Sequence, residues 1–187
     1  MRKLTVFNFM TLNGFYKGPE GDISWHPHDD AERHEYATDG VQSGSTLIFG
    51  RVTYEMMAGY WPSELAMKND PVMAKGMNKA DKVVFSQTMQ TAGWENTELV
   101  KEDMVGTIKK MKEQPGKDIT ILGSGSIVRQ LTNEGLIDEY MFMIDPVAIG
   151  TGTPLLKSIS SNLELELVSS RIFQSGVVLL CYKPRIG

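Results

Sequence analysis

The sequence predicts a single α/β domain with a mixed, mostly parallel central sheet, flanked by helices and completed by antiparallel strands near the C-terminus. Two observations support this fold class. Up to Gly135, short apolar runs alternate with segments of helical periodicity, whereas the remainder consists of strand-like segments separated by turns. The length of 187 residues suits one domain, so we expect residues 1–187 to fold as a unit.

The first half of the chain contains three predicted strands and two predicted helices. A buried strand from Leu4 to Met10 comes first, and glycines and prolines make residues 11–28 irregular. A charged helix is expected over residues 29–43. The next predicted elements are a strand at Thr46–Phe49, a helix at Val52–Ala58 and a strand at Lys82–Ser86.

In the second half, strands alternate with two helices as far as Gly135, and strands alone follow. Asp103 is suited to cap a helix that runs to Glu113, and Gly135 ends a second helix that opens at residues 123–126. Because no helical periodicity follows, the last strands are expected to pair as an antiparallel meander. The predicted strands are Glu98–Lys101, Ile119–Leu122, Glu139–Ile149, Leu163–Ser169 and Val177–Lys183.

Charge and cysteine content narrow the class of protein. The formal net charge is −4, which argues against a general nucleic-acid binder and against binding to anionic membranes. The single cysteine, Cys181, lies in an apolar run, so an internal disulfide is excluded and a reducing compartment is favoured. Since no signal-peptide pattern and no membrane-length apolar run occurs, we expect a cytoplasmic protein.

Two predicted turns that lead from a strand into a helix contain residues suited to bind phosphate groups. In the first, Gly50 permits a close backbone approach, Arg51 can pair with a phosphate, and Thr53 can donate a hydroxyl. In the second, residues 123–126 (Gly-Ser-Gly-Ser) combine small side chains with exposed amides, which suits a pyrophosphate. The alternative for the first turn is an ordinary helix start with a surface arginine. The alternative for the second is a tight turn with a serine cap.

Taken together, the two turns predict a dinucleotide site. They follow separate strands and can hold the two ends of one dinucleotide, with the arginine directed at a 2′-phosphate, which favours NADPH over NADH. The second turn is not a complete dinucleotide fingerprint, because Val128 stands where the pattern requires a third glycine. We therefore do not expect the usual βαβ dinucleotide-binding domain.

The order of these segments resembles the dihydrofolate reductase superfamily. The resemblance implies a dihydrofolate-reductase-like fold and NADPH binding by residues that match the family's two turns and its adenosine-side strand end. The cofactor-binding residues it implies are Gly50, Arg51, Thr53, Tyr54, Ser86, Gly123, Ser124, Gly125 and Ser126.

Two further segments resemble the reductase of riboflavin biosynthesis. Residues 11–14 (Thr-Leu-Asn-Gly) are similar to that branch's Ser-Leu-Asp-Gly motif, and residues 146–155 are similar to its Pro-x-x-x-Gly-x-Gly-x-Pro-Leu stretch. Asn13 stands in place of the family aspartate. The resemblance implies that Asn13, Gly14 and Trp25 contact the substrate. The zinc deaminase motif of the longer riboflavin enzymes is absent from the sequence.

An acidic residue after Trp25 is the candidate proton donor. Residues 25–30 are similar to the Trp-x-x-Pro-x-Asp pattern of dihydrofolate reductase, and burial of Asp30 would raise its pKa. A solvated acid at a helix start is the alternative. His26, His28 and His34 lie nearby with Asp29 and Glu35, but their spacing fits no standard zinc motif, so no metal is expected.

The resulting hypothesis is hydride transfer from NADPH to a polar heterocycle or ribosylamino-pyrimidine, resembling 5-amino-6-(5-phosphoribosylamino)uracil reductase. A true dihydrofolate reductase and a non-catalytic NADP-binding module are the alternatives. The expected partners are a small-molecule substrate and a second copy of the chain. An interaction protein that pairs through an antiparallel edge after Glu139 is a further alternative.

Overall fold

An eight-stranded sheet forms the centre of the molecule in the computed structural model, which describes residues 1–26 and 30–185. The strands are β1 (Leu4–Thr11), β2 (Phe15–Lys17), β3 (Thr46–Gly50), β4 (Lys82–Phe85), β5 (Thr97–Val100), β6 (Ile119–Leu122), β7 (Glu139–Asp145), β8 (Thr153–Pro154), β9 (Leu165–Ile172) and β10 (Val178–Pro184). The helices are α1 (Ala31–Gln42), α2 (Arg51–Tyr60), α3 (Glu64–Asn69), α4 (Pro71–Lys79), α5 (Met104–Glu113) and α6 (Gly125–Asn133).

The strand order is β5-β4-β3-β6-β1-β7-β10-β9. All pairings from β5 to β7 are parallel, whereas β10 pairs antiparallel with both β7 and β9. β2 and β8 form a small separate antiparallel pair. The predicted fold class is therefore confirmed, including the antiparallel strands at the C-terminal end.

Alternating residues of the strands pack against helices on both faces of the sheet. Ile48 and Val83 belong to a core that also contains apolar residues of α5 and α6. Leu47, Phe49 and Val84 point to the other face, where they pack with residues of α2 and α4. This alternation places most strands between two helical layers, as expected for a parallel sheet.

The segment between α2 and β4 contains two helices that the sequence patterns do not predict. Each has a side-chain cap, because Ser63 accepts a hydrogen bond from Ala66 N and Asp70 accepts one from Met73 N. Pro71 occupies the first position of α4, where its missing N–H costs nothing. α4 covers the sheet and contributes one wall of the cleft described below.

The expected strand Glu139–Ile149 is shorter than predicted and ends at Asp145, where Pro146 interrupts the pairing. The stretch over residues 11–28, expected to be irregular, contains β2 and a short 3-10 turn at Pro19–Gly21. In the described parts of the chain, the helices are all too short or too polar to span a bilayer.

Candidate functional site

A cleft of about 970 Å³ lies beside the ends of β3 and β6. Both predicted glycine turns line it, together with side chains from β1, α1, α2 and α4. Because β3 and β6 are parallel neighbours, with Ile48 opposite Ile121, the turns that follow them emerge at the same edge of the sheet. This edge is where ligands bind in open α/β sheets.

The two turns are in direct contact. Gly50 N donates a hydrogen bond of 2.7 Å to Ser124 Oγ. Gly123 has a φ of +60°, and a Cβ added there would lie 3.3 Å from the Thr53 side chain. The turns, predicted to hold two ends of a ligand, thus form one continuous cradle.

Both helices that start at the cradle lack a side-chain N-cap within the described residues. α2 begins after Gly50 and α6 after Ser124, and neither residue caps the following amides with its side chain. The first-turn N–H groups of a helix need acceptors, and the positive end of the helix dipole favours anions. Two such helix starts side by side suit adjacent phosphate groups.

Arg51 lies at the rim of the cradle with a half-exposed side chain. Its Nη1 is 3.0 Å from Glu55 Oε2, one helical turn later. An exposed pair of this kind contributes little to stability, so a phosphate can replace the carboxylate as partner. Ser86 and Ser126 also line the cleft, and Ser86 Oγ accepts hydrogen bonds from Thr88 N and Met89 N.

Tyr54 has a different position from the other predicted cofactor residues. Its side chain is buried among Phe49 and Trp94, and its hydroxyl accepts a hydrogen bond of 2.9 Å from Trp94 N. The ring does not line the cleft. The phenol therefore stabilises the core, and only the backbone of Tyr54 belongs to the helix start.

Two of the predicted substrate residues, Asn13 and Gly14, lie outside the cleft lining. Asn13 Nδ2 donates to Ile149 O at 2.8 Å, and Leu12 N donates to Val147 O. The two segments similar to riboflavin reductases, over residues 11–14 and 146–155, are thus bound to each other. Trp25, the third predicted residue, does line the cleft.

Asp30 does not have the properties expected of a buried proton donor. Its side chain caps α1 by accepting from Arg33 N at 3.0 Å, and it also accepts from the Ser175 hydroxyl. The Ser175 hydrogen bond, followed by that from Arg33 N, lowers the pKa of Asp30 below its ordinary value. The expected rise is corrected to a decrease, because the carboxylate is hydrogen-bonded at the protein surface.

A buried carboxylate occurs elsewhere, at Asp145. It has no exposed surface, and its Oδ2 lies 2.8 Å from His26 Nδ1. Arg33 Nη1 donates to Asp145 Oδ1 at 3.3 Å, and the Phe9 ring packs 3.9 Å from the His26 ring. A carboxylate that fixes one imidazole nitrogen orients the ring for proton exchange, and His26 and Arg33 both line the cleft.

The other predicted histidines are not gathered around His26. His34 Nε2 lies 3.2 Å from Asp70 Oδ2, between α1 and α4. His28 and Asp29 lie outside the described residues. In residues 1–26 and 30–185, no three metal-ligating side chains are grouped in a way that could hold an ion.

Three buried polar atoms in the cleft wall have no hydrogen-bond partner within the described ranges. They are Asn8 Oδ1, Trp25 Nε1 and Arg129 Nη1. Asn8 is only 4% exposed and lies in the middle of β1, between β6 and β7. A buried unpaired polar group costs about 1–3 kcal/mol, so these atoms require an explanation.

Asn8, Arg33, Arg129 and Asp145 are not predicted as site residues by any sequence motif. Asp145 directly precedes Pro146, at the start of the stretch similar to riboflavin reductases, and this position was the available signal. Its contact with His26 spans 119 residues, which no local pattern reveals. Asn8 interrupts an apolar strand with a polar residue, which was the signal for that position.

Comparison with known proteins identifies the family. Residues 2–179 match the model of the RibD C-terminal domain. The chain belongs to the RibD C-terminal domain family. Its resemblance to the riboflavin branch of the dihydrofolate-reductase-like proteins is therefore confirmed.

Two similar proteins from Bacillus subtilis align with nearly the whole chain. The uncharacterized protein YyaP of Bacillus subtilis (strain 168) is 29% identical over 181 residues, 97% of this chain and 94% of that protein. YwjB of the same strain, also uncharacterized, is 25% identical over 180 residues, 95% of this chain and 96% of that protein.

Two solved structures show the same fold. A putative riboflavin biosynthesis protein from Shewanella sp. PV-4 has a TM-score of 0.76 and 22% identity, covering 98% of this chain and 99% of that one. A diaminohydroxyphosphoribosylaminopyrimidine deaminase/5-amino-6-(5-phosphoribosylamino)uracil reductase from Thermotoga maritima has a TM-score of 0.69 and 14% identity. The alignment covers 98% of this chain and 57% of the Thermotoga chain.

Proposed function

We propose that this RibD C-terminal domain is an NADPH-dependent reductase acting on a polar heterocycle or ribosylamino-pyrimidine. The observation that carries the proposal is the joined cradle, in which Gly50 and Ser124 connect two uncapped helix starts. Gly123 and Gly125 line the cleft without a side chain, although Thr53 and Tyr16 occupy the space where their side chains would lie. Arg51 stands at the rim for a 2′-phosphate. The donor set therefore fits the phosphates of NADPH.

NADPH, when bound, supplies a hydride for the reduction of a C=N bond. The carbon would accept the hydride and the nitrogen a proton, which would leave the reduced acceptor and NADP+. The chain would hold the two reactants in register and supply the proton. We assign the proton to His26, since Asp145 fixes its ring in the cleft, whereas Asp30 is hydrogen-bonded away from it.

The position of Asp30 also bears on the alternatives. A dihydrofolate reductase requires a carboxylate that faces the pterin, and Asp30 instead caps α1. No described contact favours that activity over the riboflavin type. A non-catalytic NADP-binding module predicts cofactor binding without turnover of any acceptor.

We also propose that the protein is a cytoplasmic homodimer whose two copies pair through β9. β9 is one of the two edge strands of the sheet, and Leu167, Val168 and Ile172 are 51%, 55% and 76% exposed. An edge strand with exposed apolar side chains is a favourable surface for pairing with another copy.

The experiment that tests the cofactor is a calorimetric titration with NADPH and NADH of the wild type and of Arg51→Ala. We expect the substitution to weaken NADPH about 10- to 100-fold, because one charged phosphate contact is lost, and to leave NADH nearly unchanged. Glu55→Gln is the matched control, since it removes only the competing carboxylate and should bind NADPH at least as tightly. Equal losses for both cofactors, or no binding by the wild type, would refute the proposal.

A further inference from the structure

One side of the cleft is lined by apolar side chains from three helices and the residue that follows α2. They pack against one core cluster, and we call them the apolar wall: Ala37 and Val41 of α1, Met57 of α2, Trp61 and Met73 of α4. All of these side chains except that of Met73 are only partly buried, so they present apolar surface. None of them belongs to the phosphate cradle, and the cofactor proposal does not account for them.

Helix α1 connects the apolar wall to the proposed proton donor. Arg33 Nη1 lies 3.4 Å from His26 Nδ1. Ala37 and Val41 follow Arg33 at intervals of four residues, so the three side chains lie on one face of α1, and all three line the cleft. At a rise of about 1.5 Å per residue, Ala37 is about 6 Å and Val41 about 12 Å beyond Arg33. A molecule that reacts at His26 can therefore reach the wall with a substituent.

Close contact between α1 and α4 sets the length of the apolar wall. A Cβ added at Gly76 of α4 would lie 2.7 Å from the Val41 side chain, so the two helices meet there. Between Ala37 and Val41 the wall covers about 6 Å of α1, which is close to the length of one aromatic ring.

The charges beside the apolar wall do not favour a phosphate. Asp70 Oδ1 accepts a hydrogen bond of 3.1 Å from Met73 N, and Asp70 Oδ2 lies 3.2 Å from His34 Nε2. The histidine thus already has a carboxylate as its neighbour. The other cationic side chains among the described residues of the cleft lie on β2, at the start of α2, on α6 or in the buried contact with Asp145: Lys17, Arg51, Arg129 and Arg33. A sugar phosphate at the wall would face a carboxylate without a cation of its own.

We propose that the apolar wall binds an uncharged, apolar substituent of the hydride acceptor, about the size of one aromatic ring. Burial of such a ring removes apolar surface from water, and methionine side chains adapt to aromatic rings and make favourable sulfur contacts with them. Of the two acceptor classes proposed above, this chain then takes a heterocycle with an apolar substituent and not a ribosylamino-pyrimidine phosphate. The inference rests on the proposed function in one respect, which is the position of the acceptor at His26.

The neutral fluorophore N-phenyl-1-naphthylamine tests the wall alone. We expect its emission to increase with the wild type, because the bound dye leaves water, and Ala37→Phe to weaken binding at least about tenfold, because the new ring occupies the wall. Ala31→Phe is the matched control, since it makes the same change at an exposed position of α1 outside the cleft lining, and it should bind the dye as the wild type does. No binding by the wild type, or equal binding by all three proteins, would overturn the inference.

A second variant covers the case in which Ala37→Phe does not fold. Met57→Gln keeps the size of the side chain and an acceptor for Trp61 Nε1, which donates to Met57 Sδ at 3.1 Å. It makes the wall polar without filling it, so the dye should bind at least about threefold more weakly. Unchanged dye affinity in Met57→Gln would count against the wall as the binding surface.

Three uracils that differ only in the substituent at C6 test the assignment to the acceptor. They are 6-(benzylamino)uracil, 6-(methylamino)uracil and 6-(5-phosphoribosylamino)uracil. Calorimetry should show that the wild type binds the benzyl compound at least about tenfold more tightly than either of the others, and that Ala37→Phe loses this preference while it still binds the methyl compound. Equal binding of the benzyl and methyl compounds, tighter binding of the phosphoribosyl compound, or binding of the dye but of no uracil would each exclude the assignment.

These titrations distinguish the inference from the proposed function, because they require no cofactor. A wild type that prefers the benzyl compound but does not bind NADPH would remove the reductase proposal and leave the apolar wall as a binding surface. A wild type that binds NADPH but does not discriminate among the uracils would remove the inference alone.

Discussion

Asp145 holds two basic side chains in the interior. One carboxylate oxygen accepts from Arg33 and the other lies 2.8 Å from His26 Nδ1, while Arg33 is only 5% exposed. A buried arginine is tolerated because an anion and its hydrogen bonds replace water. The stability of this part of the cleft therefore depends on Asp145, which belongs to no recognised sequence motif.

At the residue scale, we predict that Asp145→Asn lowers the free energy of unfolding by about 3–5 kcal/mol, because the Arg33 charge is left buried without an anion. Urea denaturation measures the change. The double variant Arg33→Met/Asp145→Leu removes both charges and should lose less than Asp145→Asn alone. A double variant as unstable as the sum of its parts would show that the pair is not energetically coupled.

Helix α4 is joined to the sheet by a buried lysine. Lys82, the first residue of β4, donates from Nζ to Met77 O at 2.9 Å and to Asn78 O at 3.1 Å, both in the last turn of α4. The amine also lies 4.5 Å from the centre of the Trp94 ring. Burial lowers the pKa of Lys82 from 10.5 to about 8. Lys82 thus caps the C-terminal end of α4. Its buried amine loses its proton at a lower pH than a solvated lysine amine does.

At the element scale, this pKa predicts a pH dependence of stability. Between pH 8 and pH 10.5, Lys82 is mainly neutral in the folded chain and protonated in the unfolded chain, so the unfolded state binds more protons. The free energy of unfolding of the wild type should therefore rise with pH in this window relative to that of Lys82→Met. Urea unfolding at several pH values measures the difference, and Lys79→Met, an exposed lysine of the same helix, serves as control. A constant difference between wild type and Lys82→Met would contradict the prediction.

The same region shows why the sequence does not predict some elements. α4 contains Gly76, which weakens intrinsic helix formation, yet a Cβ at this position would lie 2.7 Å from the Val41 side chain of α1. The glycine is thus explained by tertiary packing, which the sequence does not display. By contrast, the strand Ile119–Leu122 was predicted with the bounds the structure gives, because its apolar run and the following glycine are local signals.

The candidate site also combines parts that local sequence predicts with parts that it does not. The turns around Gly50 and Gly123 carry their own signature, so the cradle could be predicted from sequence. The Asp145–His26 contact depends on the end of β7 meeting the segment before α1, and the role of Asp30 depends on Ser175, which lies 145 residues away in the chain. Long-range contacts of this kind are decided by the fold as a whole and have no local pattern.

The sheet of the whole molecule ends in β9, which has no neighbour on its outer side within the described chain. Most of its residues are exposed, although the strand carries Leu167, Val168 and Ile172. Lone monomers usually protect such an edge with charges, bulges or a covering segment. Here Glu166 and Arg171 supply charges, and the apolar side chains remain available for a second copy.

At the scale of the whole molecule, we predict that the wild type sediments as a dimer and that Val168→Lys sediments as a monomer, because a buried like-charge pair would form across the two β9 strands. Analytical ultracentrifugation measures this change. Leu65→Lys, an equally exposed apolar position on α3, should leave the dimer intact. A monomeric wild type, or a dimeric Val168→Lys, would exclude pairing through β9.

The hydrogen bond from Gly50 N to Ser124 Oγ has a consequence for descent within the family. It joins positions 74 residues apart, and a Cβ at position 50 would lie 3.3 Å from the same oxygen. In a homologue with a larger residue at position 50, the new side chain would crowd Ser124. In one without a serine at position 124, the amide of residue 50 would lose its hydrogen-bond acceptor. We therefore expect the identities at 50 and 124 to covary among homologous sequences, as a compensating pair inherited together.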